Sequence, residues 1–192
     1  VFPETAVIST LATYGDGSRG YADDRAKLGE LKPLNMYGYS KHLFDLWALR
    51  EGWLDVIAGL KYFNVYGPHE AHKGDMRSMI HKAFGQVLET GSIALFKSYR
   101  EGIEHGEQVR DFVYLDDAVE QTLFLADRPD INGLFNCGTG AARSWNDLAN
   151  AVFSAMDREA KIRYIDMPEN IRDRYQYHTE ADMTKIRAAG FD

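Results

Sequence analysis

Residues 35–65, NMYGYSKHLFDLWALREGWLDVIAGLKYFNV, decide the fold, because a helical pattern is followed directly by an apolar, strand-like run. Apolar side chains recur at helical spacing after Asn35, which is a suitable N-cap, and they predict a helix ending near Glu51. The apolar, β-rich stretch from Val56 to Val65 predicts a buried parallel strand. A helix that leads into such a strand is typical of α/β proteins.

The first turns of this helix contain Tyr37-Gly-Tyr-Ser-Lys41, which places a phenol and an ammonium four residues apart on one helix face. The positive charge of Lys41 favours the phenolate, so we expect the pKa of Tyr37 to fall from about 10 toward the working pH. A tyrosine tuned in this way exchanges a proton with a sugar hydroxyl while a cofactor moves the hydride. Surface helices also carry such pairs without any function, so the neighbouring motifs decide between the two interpretations.

Outward from this segment, strand and helix patterns alternate along the chain. Strands are predicted at Ala6–Thr10, Val56–Val65, Val109–Tyr114, Leu134–Cys137 and Lys161–Ile165, and helices at Asn35–Glu51, Met76–Thr90, Asp116–Ala126, Ser144–Met156 and Ala181–Ala189. Residues Gly15–Lys32 are polar and glycine-rich and predict a loop. This alternation predicts an α/β fold with a mostly parallel sheet.

Composition limits the classes of protein that are compatible with the chain. Its 192 residues, 45 % of them hydrophobic, suit one domain, or one domain and part of a second. The net charge of −7 is spread without long runs of one sign, which argues against a nucleic-acid partner. No apolar run approaches the roughly 20 residues of a membrane helix, and no secretory signal opens the chain. The single cysteine, Cys137, fits a reducing compartment, so we predict a cytoplasmic protein without a membrane partner.

Features near the start of the chain predict that it is the later part of a longer protein. Val1 is not a methionine, and the strand at Ala6–Thr10 has no strand or helix before it. Gly15-Asp-Gly-Ser-Arg-Gly20 matches the glycine pattern of dinucleotide-binding turns, but Tyr21 and its successors lack the apolar periodicity of the required helix. We therefore expect the dinucleotide cradle to lie outside this chain, and the chain alone to bind a cofactor weakly and to be inactive.

Four motifs read together carry a family resemblance. They are Ser9–Gly15 (STLATYG), Pro33–Lys41 (PLNMYGYSK), Lys61–Pro68 (KYFNVYGP) and Arg110–Asp117 (RDFVYLDD). This series resembles the extended short-chain dehydrogenase/reductase superfamily, whose members modify nucleotide-activated sugars. Residues 64–74 (NVYGPHEAHKG) and Arg174-Tyr-Gln176 are similar to the family of ADP-L-glycero-D-manno-heptose 6-epimerases, and this similarity extends from about Ile8 to Asp192.

The resemblance implies the later half of a Rossmann-like, doubly wound parallel sheet with a smaller C-terminal substrate-binding lobe. Residues 1–62 would complete the NAD(P)-binding domain, and residues 63–192 would form mainly the substrate lobe, with residues 109–140 returning to the first domain. In the parent protein the implied reaction inverts C6 of ADP-D-glycero-D-manno-heptose to the L-glycero form, through transient oxidation and re-reduction with bound NADP; NAD is also possible. The product is a precursor of the lipopolysaccharide core, and the resemblance implies a homo-oligomer, a pentamer.

The resemblance also implies roles for individual residues. Inversion at a carbinol carbon needs proton transfer on both faces, and by similarity Tyr37 and Lys73 are the two acid/base groups. Lys73 must then lose its proton, which requires its pKa to fall from about 10.4. Lys41, Val65 and Lys73 are the implied cofactor contacts, and Thr10 hydrogen-bonds the reacting oxygen. The implied substrate contacts are Asn64, Asp75, Lys82, Phe96, Lys97, Ser98, Tyr99, Arg110 and Tyr175.

Some residues depart from the family pattern, and two alternatives stay open. Asp75 stands where the family often has serine, and Arg100–Gln108 is longer than the usual loop. The alternatives are another nucleotide-sugar epimerase or dehydratase, of the UDP-hexose type, and a non-catalytic binding domain. The sequence His72-Lys73-Gly74 favours the heptose epimerases over the UDP-sugar enzymes. The six histidines lack the spacing of metal ligands, so no metal site is predicted.

Overall fold

The computed structural model describes residues 7–192, in which strands and helices alternate as the sequence predicts. The strands are β1 (Val7–Thr10), β2 (Ala58–Tyr62), β3 (Asn64–Tyr66), β4 (Ile93–Phe96), β5 (Val109–Arg110), β6 (Phe112–Tyr114), β7 (Gly133–Cys137), β8 (Arg143–Ser144) and β9 (Ile162–Ile165). The helices are α1 (Met36–Arg50), α2 (Met79–Thr90), α3 (Leu115–Ala126), α4 (Trp145–Ala155), α5 (Glu169–Arg172) and α6 (Thr184–Ala188). Short 3₁₀ helices cover Leu11–Tyr14, Arg25–Glu30, Trp53–Asp55 and Ala71–Met76. Within residues 7–192 no helix is long and apolar enough to cross a membrane.

A three-stranded parallel sheet in the order β1-β2-β7 lies at the centre of the fold. Its register pairs Thr10 with Tyr62 and Tyr62 with Cys137, so the carboxyl ends of the three strands lie at one edge. Leu60 and Leu134 are buried in this sheet, as expected of parallel strands that are covered on both faces. The predicted α/β fold with a parallel sheet is confirmed.

The strand predicted from Val56 to Val65 is wrong in its extent, because the chain changes sheets at Phe63. β2 ends in the central sheet, whereas β3 pairs in parallel with β6. At the change, the backbone N–H groups of Phe63 and Asn64 donate to carbonyl groups on β7 and on the β5–β6 connection. The strand predicted at Val109–Tyr114 is divided in the same way, and β5 pairs with β8 instead. No glycine or proline marks the first break, so the sequence gives no strong turn signal there.

A second parallel sheet, β4 with β9, packs with α2 and α4 around a separate hydrophobic core. The buried members of this core are Ala83, Val87, Ile93, Leu95, Leu148, Ala149 and Phe153. β4 is not predicted from the sequence, because only Gly91 and Ser92 separate it from α2. α2 itself begins three residues later than predicted, since the side chain of Ser78 caps it by accepting from the N–H of His81.

The other helix starts follow the sequence signals closely. Asn35 caps α1 by accepting a hydrogen bond of 2.8 Å from the N–H of Gly38, and Ser144 with Asp147 forms a capping box on α4. The predicted loop Gly15–Lys32 contains a 3₁₀ helix, and the last predicted helix is shortened to α6.

Candidate active site

The first turn of α1 is packed directly on the segment that follows Thr10 at the end of β1. A Cβ added at Gly38 would lie 2.6 Å from the carbonyl oxygen of Ala12, so only glycine permits this approach. Tyr37 and Lys41, on the same helix, are therefore brought to the carboxyl edge of the central sheet. The side chain of Tyr37 is 58 % exposed and that of Lys41 is partly buried.

Thr10 ends β1 and begins the 3₁₀ helix Leu11–Tyr14. Its hydroxyl oxygen accepts from the N–H of Ala12 at 3.3 Å, and its carbonyl oxygen accepts from the hydroxyl of Thr13 at 3.0 Å. Thr10 thus has a structural capping role in addition to the predicted contact with a reacting oxygen, which stays a prediction.

A buried polar network lies beneath this edge, and sequence reasoning missed it. Lys61 donates to Asp45 at 2.8 Å and to Thr13 at 2.7 Å, and Ser9 donates to the same carboxylate oxygen of Asp45 at 3.1 Å. The side chains of Lys61 and Asp45 are 1 % and 2 % exposed. Burial lowers the pKa of Lys61, and the charge of Asp45 opposes that shift. The signal in the sequence is a lysine inside an otherwise apolar strand, which needs a buried partner.

Lys73 lies in the 3₁₀ helix Ala71–Met76, between β3 and α2. Its side chain is 45 % exposed, and its amine lies 3.6 Å from a carboxylate oxygen of Glu70. Glu70 is 4 % exposed, and it was not among the predicted site residues. An acidic residue three positions before the predicted base is the signal that could have indicated it.

Arg110, on β5, is the most deeply buried of the predicted substrate contacts. Its guanidinium lies between the rings of Trp145 and Tyr175, 5.5 Å and 5.1 Å from their centroids. It donates to the carbonyl oxygens of Val109 and Gln176. Burial lowers the pKa of Arg110, and no ion pair found within residues 7–192 involves it. A buried guanidinium with free donors is suited to a diphosphate, which it can bind through two parallel hydrogen bonds.

Asp111 follows Arg110 and holds three distant parts of the chain together. Its carboxylate accepts from the N–H and hydroxyl of Thr139 at 2.9 and 2.7 Å, from the N–H of Gly140 at 2.9 Å and from the N–H of Ala181 at 3.0 Å. Its carbonyl oxygen accepts from the side chain of Asn64 at 3.1 Å. Asn64, a predicted substrate contact, is therefore engaged in holding this junction.

Two cavities meet at Tyr175. The first, of about 200 Å³, is lined by Ala12, Leu34, Asn35, Arg110, Arg174, Tyr175 and Gln176. The second, of about 350 Å³, is lined by Met79, Lys82, Gln86, Ala94, Leu95, Phe96, Trp145, Ile165 and Tyr175. The first cavity joins the N-terminus of α1 to Arg110, and the second lies against the smaller core. The structure thus brings together Lys82, Phe96, Arg110 and Tyr175 from the predicted set, and adds Trp145 and Gln86.

The remaining predicted substrate contacts line neither cavity. Lys97 and Tyr99 both bind Asp166, at 3.0 and 2.8 Å, on the surface after β4. Ser98 is engaged locally, because its N–H donates to His105 and its hydroxyl to the carbonyl oxygen of Arg100. These three residues adjoin Phe96 in sequence and lie next to the second cavity rather than in it.

Asp75 and Val65, two further predicted contacts, also lie outside the two cavities. Asp75 is exposed, and its carbonyl oxygen, not its carboxylate, accepts from Lys82 at 2.6 Å. Val65, a predicted cofactor contact, is half-buried and packs against the larger core.

The glycine-rich segment Gly15–Gly20 forms turns, with positive φ at Gly15, Gly17 and Gly20. The next helical segment is the 3₁₀ helix Arg25–Glu30, capped by Asp24, so no α-helix opens after the glycines. The geometry that a dinucleotide phosphate needs is therefore not formed by this segment.

The parallel sheet, with α1 at its carboxyl edge, defines an α/β protein of the Rossmann type. The sequence model of the NAD dependent epimerase/dehydratase family matches residues 4–138, and the chain belongs to this family. It is similar to the ADP-L-glycero-D-manno-heptose-6-epimerase of Nitratidesulfovibrio vulgaris (strain DP4), at 60 % identity over 182 residues, which cover 95 % of this chain and 56 % of the relative.

Solved structures give the same assignment of fold. The ADP-L-glycero-D-manno-heptose-6-epimerase of Helicobacter pylori superimposes with a TM-score of 0.72 at 29 % identity, covering 92 % of this chain and 50 % of that one. The UDP-glucose 4-epimerase of Thermus thermophilus in complex with NAD gives a TM-score of 0.72 at 23 % identity, covering 97 % and 58 %, which shows likeness in fold alone. The chain spans about half the length of the curated relatives it matches, 56 % of the first two.

Proposed function

We propose that the protein containing this chain inverts C6 of ADP-D-glycero-D-manno-heptose to the L-glycero form. The observation that supports this most is the buried guanidinium of Arg110, which lines the cavity beside the N-terminus of α1 and is flanked by aromatic rings. This arrangement suits a nucleoside diphosphate whose sugar points toward Tyr37. The name of the 60 % identical relative supplies the identity of the sugar.

In this proposal Tyr37 and Lys73 are the two acid/base groups, and each exchanges a proton with the C6 oxygen from its own side. Tyr37 is accessible to a substrate because more than half of its side chain is exposed. Lys41 presents amine donors one turn further along the same helix face. Thr10 places a hydroxyl at the carboxyl end of β1, where it hydrogen-bonds the reacting oxygen.

We further propose NADP as the cofactor, with NAD as the alternative; when bound, either would supply the reversible hydride transfer that inversion at C6 requires. Lys41, which is partly buried on α1, would donate to the nicotinamide ribose. The proposed cofactor contacts are Lys41, Val65 and Lys73. The segment Gly15–Gly20 does not fit the pyrophosphate, since no α-helix opens behind it.

The second cavity is proposed to take the adenine base. Phe96 and Tyr175 meet edge to face at 6.4 Å, and Trp145 donates to the hydroxyl of Tyr175 at 2.8 Å, which fixes flat apolar faces in one wall. Asn64, Asp75, Lys82, Lys97, Ser98 and Tyr99 complete the proposed substrate contacts.

The proposed organisation follows the resemblance. Residues 1–62 belong to the NAD(P)-binding domain, and residues 63–192 belong mainly to a substrate lobe. Within the second range, residues 109–140 return to the NAD(P)-binding domain. The pairing of β7 with β2 supports such a return, because it places the later strand in the central sheet. We also propose that the full-length protein is a cytoplasmic homo-oligomer, a pentamer. Sedimentation equilibrium would measure the mass of this assembly.

Direct assay tests the proposed activity. The full-length protein and its Tyr37→Phe and Lys73→Ala variants are incubated with ADP-D-glycero-D-manno-heptose, and the two epimers are separated by chromatography. We expect each variant to lower kcat by roughly 10²- to 10⁴-fold, because each removes one proton-transfer group. Tyr39→Phe is the matched control, since Tyr39 is an exposed tyrosine on the same helix.

Two results would contradict the proposal. One is a Lys73→Ala protein that keeps the parent rate. The other is turnover of UDP-glucose with a higher kcat/KM than the ADP-heptose, which would favour the UDP-hexose alternative.

A further inference from the structure

The segment from Gly67 to Ser78, which connects β3 to α2, has an unusual backbone. His69 adopts a φ of 65°, a conformation that is uncommon for a residue with a Cβ, and Gly74 adopts a φ of 54° in the middle of the 3₁₀ helix. Residues 71–76 are all exposed, so little packing holds them in place. Something other than a hydrophobic core must therefore fix the position of Lys73.

Glu70 supplies the missing constraint. One carboxylate oxygen accepts from the N–H of Gly67 at 3.3 Å and from the hydroxyl of Ser78 at 2.6 Å. The other accepts from the N–H of Ser78 at 2.7 Å and lies 3.6 Å from the amine of Lys73. The two ends of the segment are thus tied to one buried side chain, and Lys73 is attached to the same point.

The electrostatic state of Glu70 agrees with this geometry. Burial alone would raise the pKa of its carboxyl, but the hydrogen bonds from Ser78 and Gly67 and the charge of Lys73 outweigh burial, and the pKa is lowered. Glu70 is therefore a carboxylate at neutral pH, which is the form that accepts these hydrogen bonds. A neutral glutamine could not replace it, because its NH₂ group would face another donor.

We propose that Glu70 is a positioning residue that holds the amine of Lys73 at the substrate and fixes the segment 67–78 on α2. The catalytic role of Lys73 in this proposal rests on the proposed function, whereas the positioning of its amine by Glu70 does not. A lysine side chain has a flexible four-carbon stem, and a misplacement of about 1 Å can cost roughly 100-fold in rate. An exposed lysine that performs proton transfer thus needs such a support.

A double-mutant experiment separates positioning from general stability. Glu70→Gln is made in the full-length protein, both alone and in the Lys73→Ala background, and kcat and KM are measured with ADP-D-glycero-D-manno-heptose. Alone, we expect Glu70→Gln to lower kcat by roughly 10- to 100-fold, with KM changed by no more than about twofold. In the Lys73→Ala background we expect a further change of less than about twofold, because the residue that Glu70 acts through is already absent.

A second readout does not depend on activity. Trace acylation of the lysines, measured by peptide mass spectrometry, reports how readily each amine reacts. Removal of the carboxylate should release the amine of Lys73 from its 3.6 Å contact with Glu70. We then expect the labelling of Lys73 to rise about threefold or more relative to Lys27, an exposed lysine in the 3₁₀ helix Arg25–Glu30. Glu30→Gln is the matched control, since Glu30 pairs with Arg19 at the surface, at 3.8 Å.

Each outcome is decisive. Loss of kcat that is equal in both backgrounds, or a labelling ratio that does not change, would overturn the proposal. If Glu70→Gln fails to fold, Glu70→Asp serves in its place, because it keeps the charge but shortens the reach to Lys73 by one methylene. If the unmodified protein does not convert the ADP-heptose, the proposed function fails, and the labelling ratio alone then decides whether Glu70 holds Lys73.

Discussion

Arg110 and Asp111 are adjacent and buried, yet no ion pair found within residues 7–192 joins them. The carboxylate of Asp111 is satisfied by four hydrogen bonds from Thr139, Gly140 and Ala181. The guanidinium of Arg110 has aromatic rings on its sides and only carbonyl oxygens as acceptors in this part of the chain. A buried charge normally has a partner of opposite charge, so the arrangement supports the proposed binding of an anionic group by Arg110.

Replacing Arg110 with lysine tests whether its guanidinium binds the diphosphate of the substrate. Lysine keeps the charge but cannot donate two parallel hydrogen bonds to a diphosphate, so Arg110→Lys should raise the KM for the nucleotide sugar by roughly tenfold or more. Steady-state kinetics of the full-length protein provide the measurement. Arg128→Lys is the control, because Arg128 lies at the surface over the ring of Phe124. An unchanged KM in Arg110→Lys would remove Arg110 from the binding site.

Among the elements, α1 is the one whose placement matters most for the site. Its cap at Asn35 and its Tyr37–Lys41 pair are readable from the sequence, because both depend on residues within one or two turns. The ion pair of Asp45 with Lys61 joins α1 to β2 and cannot be predicted from local sequence. The charge of a residue does not identify a partner 16 positions away.

The same reason explains the misplaced strand ends. The breaks between β2 and β3 and between β5 and β6 depend on hydrogen bonds between residues that are far apart in the sequence. Asn64 donates to Asp111, 47 positions away, and Phe63 donates to Cys137, 74 positions away. Glu70 is an intermediate case, because its contacts with Lys73 and Ser78 are local but carry no standard motif. Periodicity thus predicts the elements, and long-range polar contacts decide where they end and which residues support the site.

The Asp45–Lys61 pair gives a prediction about the stability of this α1–β2 contact. Lys61→Met leaves the carboxylate of Asp45 buried without its cation, so we expect the free energy of unfolding of the full-length protein to fall by about 3–5 kcal/mol. Adding Asp45→Leu should recover much of that loss, because the double variant buries no unpaired charge. Urea denaturation measures both.

The exposed pair of Arg25 with Asp55 is the control for this cycle, and Arg25→Met should change stability by less than about 1 kcal/mol. A Lys61→Met protein as stable as its parent would show that the buried pair does not hold α1 on the sheet.

At the scale of the whole molecule, the buried hydrophobic residues found within residues 7–192 form two separate cores, and β6 contributes to both through Val113 and Phe112. The larger core contains the central sheet and the smaller one contains β4, α2 and α4. Arg110, Trp145 and Tyr175 lie where the two cavities meet between them. Ligand pockets are common at such junctions, which supports the site proposed here.

Cys137 reports on the opening of the larger core, because it is fully buried in β7 and is the single cysteine of the chain. Burial, with a smaller contribution from the negative charge of Asp111, raises the pKa of its thiol from the ordinary 9.0 to about 12. Unfolding exposes this thiol, which then ionises above about pH 9, whereas the folded protein keeps it protonated to about pH 12. The stabilising contribution is therefore complete below pH 9 and is lost as the pH rises toward 12.

The contribution of the Cys137 thiol to the free energy of unfolding can be isolated with a Cys137→Ala variant. Urea denaturation of both proteins is measured at about pH 8 and about pH 10. Over this interval we expect the unmodified protein to lose about 1.4 kcal/mol more than the variant, since one extra proton leaves the unfolded chain. Other groups titrate in the same range, such as Tyr21, whose pKa is raised by burial to about 12, but they are common to both proteins and cancel in the difference. Equal losses in the two proteins would mean that the thiol is ionised, or exposed, in the folded state, which would contradict the burial of Cys137 in the larger core.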